Sequence, residues 1–175
     1  MRQADEDEFR RFATQYGASL RRSAFLFCGD WHLAEDLMQQ TLLKVYRSWS
    51  RVQRGESLAN YGRTVLLRTW LDEKRRPWRR SERSEAAVPE TPEQPADPAD
   101  RLWARDLVHH GLLRLPPRQR AALVLRYFDD LSVAETAAVM GCSDGTVKSQ
   151  TARGLDTLRA TVARLAADER GRVVS

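Results

Sequence analysis

Between Pro77 and Asp100 the chain reads PWRRSERSEAAVPETPEQPADPAD, a segment holding five of the seven prolines. From Ser81 onward its only apolar residues are alanines and one valine. Such a stretch cannot bury enough apolar surface to offset the entropy lost on ordering, so it predicts a partly extended linker over 77–100. The linker divides the 175 residues into an N-terminal unit, 1–76, and a C-terminal unit, 101–165, followed by a short tail over 166–175. There is no internal repeat.

Both units have helical periodicity, and neither shows the alternation of a strand. Phe9, Phe12, Ala13, Tyr16, Leu20, Ala24 and Phe27 form one face of a first helix, with Asp5 to Glu8 at its positive end. Gly29-Asp30 ends it and offers Asp30 as the next cap. Ala34, Leu37, Met38, Thr41, Leu42, Val45 and Trp49 share a face of a second helix. After a break at residues 53–56, Ser57 caps a third helix that Pro77 closes. The C-terminal unit opens with a helix over about 102–115, broken and restarted at Pro116-Pro117. Ser132 with Glu135 makes a capping box, Gly141 stops that helix, and Ser143 with Thr146 starts the last one. The fold class expected is all-α: two small helical domains joined by an extended acidic linker.

Charge follows the same division. Residues 1–80 carry 16 basic and 10 acidic side chains, net +6, and residues 101–175 carry 12 and eight, net +4. Between them, residues 81–100 carry one basic and six acidic, net −5. Two basic blocks suit a polyanion partner, although a solvated charged surface has the same composition. No apolar run approaches the length of a membrane span, and the acidic N-terminus is unlike a secretory signal or transit peptide. Cys28 and Cys142 are too few for a disulfide framework, and a cytoplasmic location is the simplest expectation.

Residues 133–152, VAETAAVMGCSDGTVKSQTA, have the internal logic of a helix-turn-helix. Ala137 is small where the helices cross, Gly141 can take the positive φ of a tight turn, and Val147 packs the second helix on the first. Gly145, Thr146, Lys148, Ser149 and Arg153 then face outward, the short residues permitting close approach and the cations reaching phosphates or base edges. The bland alternative is a helical hairpin within a packed core. The pattern points to DNA binding without giving the class of regulator.

Nothing here points to an enzyme. Cys28 and His32 have a metal-like spacing, but two ligands do not make a site and Gly29-Asp30 interrupts the helix between them. His109 and His110 are adjacent and so point to different sides of a helix. Cys142 reads as a small buried residue of the turn. No Walker loop, nucleophile elbow or catalytic carboxylate pair occurs, and no cofactor, metal site or catalytic residue is expected.

The context of the helix-turn-helix narrows the class. LPPRQR at 115–120, LRYFDDLS at 125–132, TVKS at 146–149 and RGLDTLR at 153–159 closely resemble region 4 of bacterial RNA polymerase sigma factors. AEDLMQQTLLKVY at 34–46 and the basic helix ending WLDEKRR at 70–76 resemble region 2. Two such blocks with only a linker between them resemble the extracytoplasmic-function (ECF) group of the sigma-70 superfamily. The sequence departs from the family pattern at Arg68, where a polar Asn is common, and at Gln40, where Glu is common. The former bears on promoter preference.

The resemblance implies a transcription initiation factor that directs core RNA polymerase to promoters. The first domain would bind core and melt the −10 element; the second would bind the −35 element. It implies that Asp36, Gln39, Gln40, Leu43 and Arg47 meet the β′ clamp helices, and that the β flap is a further contact on core polymerase. Holding unstacked bases needs positive charge and flat side chains. Tyr61, Arg63, Arg68, Trp70, Lys74, Arg75 and Arg76 supply them, with Trp78, Arg79 and Arg80 beyond, although Tyr61 and Trp70 could equally be core residues. The loop at 53–60 stands where the family has its specificity loop. The linker would thread the RNA exit channel, its six acids standing in for RNA phosphates; the alternative is a plain tether. The partners implied are core polymerase and promoter DNA, the family allows an anti-sigma factor, and no membrane is expected. The rival reading is a self-sufficient helix-turn-helix regulator whose N-terminal helices sense a ligand or dimerise. A non-specific nucleic-acid scaffold is the third.

Overall fold

A computed structural model describes residues 3–52, 57–75 and 99–173. Helix α1 spans Gln3–Cys28, α2 Trp31–Ser48 and α3 Leu58–Arg75, with a 3-10 turn Trp49–Arg51 after α2. In the second half α4 spans Ala99–Leu113, α5 Pro117–Leu123, α6 Val133–Met140 and α7 Asp144–Val173, and α5 runs into a π-helical turn, Val124–Phe128. Among the described residues there is no strand.

Local chemistry sets these boundaries. Gly29, at φ +78°, turns the chain out of α1, and the Asp30 carboxylate accepts from the Leu33 N–H at 2.8 Å to cap α2. Ser57 Oγ accepts from the Asn60 N–H at 3.4 Å at the start of α3. Pro117 stands at the head of α5, where a missing N–H costs nothing. Two boundaries differ from the sequence expectation. Helix α4 begins inside the expected linker, at Ala99, so Asp100 belongs to its first turn. Helix α7 continues through the expected tail to Val173, because neither glycine nor proline stands between Gly154 and Gly171 and Ala166 is still buried. Pro77, Arg76, Trp78, Arg79, Arg80 and five of the six linker acids lie outside the described residues.

Helices α1, α2 and α3 pack around Phe12, Leu20, Phe27, Leu37, Val45, Leu66 and Trp70. The same apolar cluster continues into Ala121, Val124, Leu125, Leu131 and Val139 of the second half. A smaller cluster of Leu112, Leu115 and Leu123 packs against Leu155 and Leu158 of α7. The two halves are therefore in contact: α1 packs on α4, α5 and the π-turn, and α3 packs on α6.

Candidate functional site

The helix-turn-helix is built by two caps and one turn. Ser132 Oγ accepts from the Glu135 N–H at 3.1 Å, and the Glu135 carboxylate accepts from the Ser132 N–H at 2.8 Å. These bonds, first the one from the Ser132 backbone, hold the Glu135 carboxyl below its usual pKa. Gly141 ends α6 in the left-handed region, at φ +63°. Ser143 Oγ then accepts from the Thr146 N–H at 3.1 Å, starting α7. Ala137 and Val147 are buried where α6 meets α7. Farther along α7, a Cβ on Gly154 would stand 3.1 Å from Leu123 Cγ, so the glycine lets α5 and α7 approach closely.

This leaves one polar face free on the first turns of α7. Gly145, Lys148, Ser149 and Arg153 are exposed. Thr146 is half-buried and its hydroxyl meets Ser143 Oγ at 2.9 Å, so it contributes to the cap as well as to the surface. Cys142 is half-buried rather than buried.

On α2, Asp36, Gln39, Leu43 and Arg47 are exposed and Gln40 is half-buried, opposite the buried Ala34, Leu37, Thr41 and Val45. Leu43 is 49% exposed, which puts an apolar side chain at the centre of a polar helix face. Tyr46, 39% exposed, extends this face; its ring rests edge-on against Phe9 at 5.1 Å. The sequence reading did not assign Tyr46, although its spacing three residues from Leu43 carries that signal.

Helix α3 separates its expected site residues into three groups. Arg68 and Arg75 are exposed and Lys74 is half-buried. The Tyr61 hydroxyl meets Ser48 Oγ at 2.8 Å, tying α3 to α2, and Arg63 pairs with Asp129 of the second half at 3.3 Å. Trp70 corrects the expectation of a base-stacking platform. It is 1% exposed and stacked on Phe27 at 4.9 Å and 14°, so both faces of α3 cannot be counted as available to nucleic acid. The sequence left Trp70 open between the two roles because the period that buries an aromatic also places it among the basic residues.

A cleft is lined by Asp5, Glu8, Arg11, Tyr16, Trp49 and Leu58, among others. Sequence reasoning missed it, since Tyr16 and Trp49 read simply as members of apolar faces. The Cys28 thiol donates to the Asp30 carbonyl at 3.2 Å, and burial pushes its pKa up to about 11, so it stays a protonated thiol rather than a ligating thiolate. His109 and His110 diverge as expected: His109 stacks on Phe25 at 4.6 Å, while His110 is exposed.

The sequence profile of Sigma-70 region 2 matches residues 12–80, and that of Sigma-70, region 4 matches residues 105–158. The RNA polymerase sigma-E factor of Streptomyces coelicolor is 34% identical over 154 residues, covering 87% of this chain and 84% of that protein. The ECF RNA polymerase sigma factor SigM of Mycobacterium tuberculosis is 30% identical, covering 94% of this chain and 78% of its own length. The chain belongs to the ECF group of RNA polymerase sigma factors. The fold is also that of the sigma factor RpoE of Bartonella quintana, solved in complex with the anti-sigma factor NepR. The match has a TM-score of 0.76 at 24% identity and covers 89% of this chain and 97% of that one.

This sigma factor is a transcription initiation factor that works with core RNA polymerase and promoter DNA, which sets aside the self-sufficient regulator. Sigma factors are not enzymes. Among the described residues, no helix is long and apolar enough to cross a membrane.

Proposed function

We propose a division of labour in which residues 1–76 bind core polymerase through α2 and the −10 element through α3, and residues 101–165 bind the −35 element through α7. The observation that carries this reading is the capped, outward face of α7: Lys148, Ser149 and Arg153 are exposed together behind the Gly141 turn. Helix α2 supports the first half through Leu43, an exposed leucine within a polar face, as at a protein interface. On α3, Arg63, Arg68, Lys74 and Arg75 supply the cations for the strand backbone, joined in the sequence by Arg76, and Tyr61 is the aromatic nearest the start of the helix. Trp70 acts by fixing α3 in the core. The chain brings no catalytic group; the polymerase forms the phosphodiester bonds, and the location is the cytoplasm, with the polymerase.

The test is run-off transcription from a fragment library with core polymerase and the full chain. The −35 and −10 sequences selected are then compared between the wild type and variants of each face. Substitutions on α7 are expected to change preference only at the −35 element and those on α3 only at the −10 element. Crossed or absent effects overturn the assignment.

A further inference from the structure

The cleft between α1, the 3-10 turn and the start of α3 has a volume of about 550 Å³, enough for a whole side chain or a small ligand. Tyr16, Trp49 and Leu58 give its lining an apolar part, and Asp5, Glu8 and Arg11 a charged part. Trp49 is held from within the bundle, where Phe9 meets its ring edge-on at 5.4 Å and Phe12 lies at 5.5 Å. Two carboxylates against one guanidinium leave the lining net negative, on a stretch, residues 1–80, whose net charge is +6. Asp5 and Glu6 stand in the first turn of α1, where the helix dipole favours acids. Glu8 stands farther along, where that effect has faded, and it makes no ion pair among the described residues. The needs of the helix give no account of Glu8, whereas its place in the cleft does.

The cleft is continuous with the outer face of α2. Leu43 and Tyr46 are exposed one turn apart, the Tyr46 ring meets Phe9 edge-on at 5.1 Å, and Phe9 in turn meets Trp49 of the cleft. An apolar stripe thus runs from Leu43 over Tyr46 and Phe9 and ends at a carboxylate beside aromatic side chains. That combination suits a lysine or arginine: the carboxylate pairs with the charged head, and the rings take the cation and its methylene stem. Acids repel a nucleic-acid strand, so the occupant is a protein. We propose that the cleft receives a lysine or arginine side chain of core polymerase, a second anchor beside the contact made by α2. Interfaces concentrate their energy in a few such side chains seated in pockets, with the neighbouring apolar contacts excluding water around them.

The proposal rests on the reading that α2 meets core polymerase, so the experiment keeps the two apart. Affinity of the full chain for core polymerase is measured by competition against labelled wild type, at low and at high salt. Glu8→Gln keeps the shape of the side chain and removes its charge. Ser50→Arg sets a cation of the chain's own on the lining of the cleft, so that a second variant guards against one failing to fold. Circular dichroism and unfolding temperature establish that each is folded. Both are expected to weaken core binding by about threefold to tenfold at low salt, with a smaller loss at high salt, where the ion pair is screened. Wild-type affinity in both folded variants overturns the anchor. A loss of equal size at the two salt concentrations overturns the cationic occupant. Failure of the α2 reading looks different: Leu43→Ser would bind core polymerase normally while Glu8→Gln still showed its salt-dependent loss.

Discussion

The Arg120 guanidinium donates to the Phe27 carbonyl at 2.5 Å, joining two residues 93 positions apart in the chain. Arg120 is 5% exposed and also donates to the carbonyls of Leu113 and Leu115. One planar cation thus satisfies carbonyls at the ends of α1 and α4 and in the turn before α5, a task suited to its fixed fork of donors. Arg120→Met keeps much of the volume but strips these carbonyls of their donor. The expected loss is about 2–4 kcal/mol of stability, since hydrogen bonds from a charged donor to buried groups are among the costlier ones to remove. Thermal and urea unfolding would measure it; a variant as stable as wild type would show that water replaces the guanidinium without cost.

The recognition helix separates two kinds of contact. Arg153→Ala and Lys148→Ala remove exposed cations, so loss of a phosphate contact by either should weaken binding to all promoters and reduce its salt dependence. A side chain that reads a base should instead relax preference at one −35 position, at about 1–3 kcal/mol for a good contact. Ser149→Ala tests the short polar residue, whose hydroxyl also donates to the Thr146 carbonyl at 3.0 Å. The measurement is transcription by the reconstituted polymerase from a library of −35 variants at two salt concentrations. If none of the three variants changes affinity or preference, this face of α7 does not meet the DNA.

Much of the architecture was legible because it is local. Asp30, Ser132 with Glu135, Gly141 and Ser143 each act within four residues, and each stands at the helix boundary its chemistry predicts. The face of α2 was legible for the same reason, since Asp36, Gln39, Leu43 and Arg47 are set by helical period alone. The interface between the halves was not. Ser23 and Asp129 are 106 positions apart, and nothing in either neighbourhood marks one as the other's partner. The linker made the halves look independent, yet composition cannot say whether the surfaces it joins are complementary. The π-turn was hidden too. An apolar run such as Val124-Leu125 fits a continuing α-helix equally well, and the widened turn is evident only from the Asp129 N–H meeting the Val124 carbonyl at 3.0 Å.

Core binding should depend on the outer face of α2. Asp36→Arg reverses an exposed charge and Leu43→Ser removes the exposed apolar side chain; neither residue belongs to the buried face. Both variants should keep wild-type circular dichroism and unfolding temperature, because exposed substitutions away from caps and cores cost little. Both should compete poorly for core polymerase, through an unpaired or repelling charge in the first case and lost apolar contact in the second. Normal competition by both, with normal folding, would move the polymerase-binding face elsewhere on the first three helices.

The contact between the halves should respond to pH, with two groups acting in opposite directions. His109 lies between Phe25 and the rest of α4, and burial first, then the charge of His110, lowers its pKa from the usual 6.5. Asp106 works against this shift and Arg120 with it, while Arg21 and Glu35 pair with each other at 2.7 Å, with the Arg21 guanidinium over Trp31, the ring stacked on the far side of Phe25. A lowered histidine pKa means that the packed halves prefer the neutral ring. Its contribution is fully present above pH 6.5 and is lost as pH falls through the lowered value. Asp129 has the opposite sign. Burial raises its pKa from 3.8 against the opposing pulls of Ser23 and Arg63, so the packed halves prefer the neutral acid, and that contribution fades as pH rises through the raised value. Acidification below pH 6.5 should therefore loosen the contact between the halves through His109, while protonation of Asp129 works in the opposite direction. His109→Phe retains an aromatic ring against Phe25 but cannot charge. It should abolish the loosening, read by energy transfer between labels on α2 and α7, and leave only the opposing response of Asp129, whereas a wild-type pH profile in this variant would assign the response to another group.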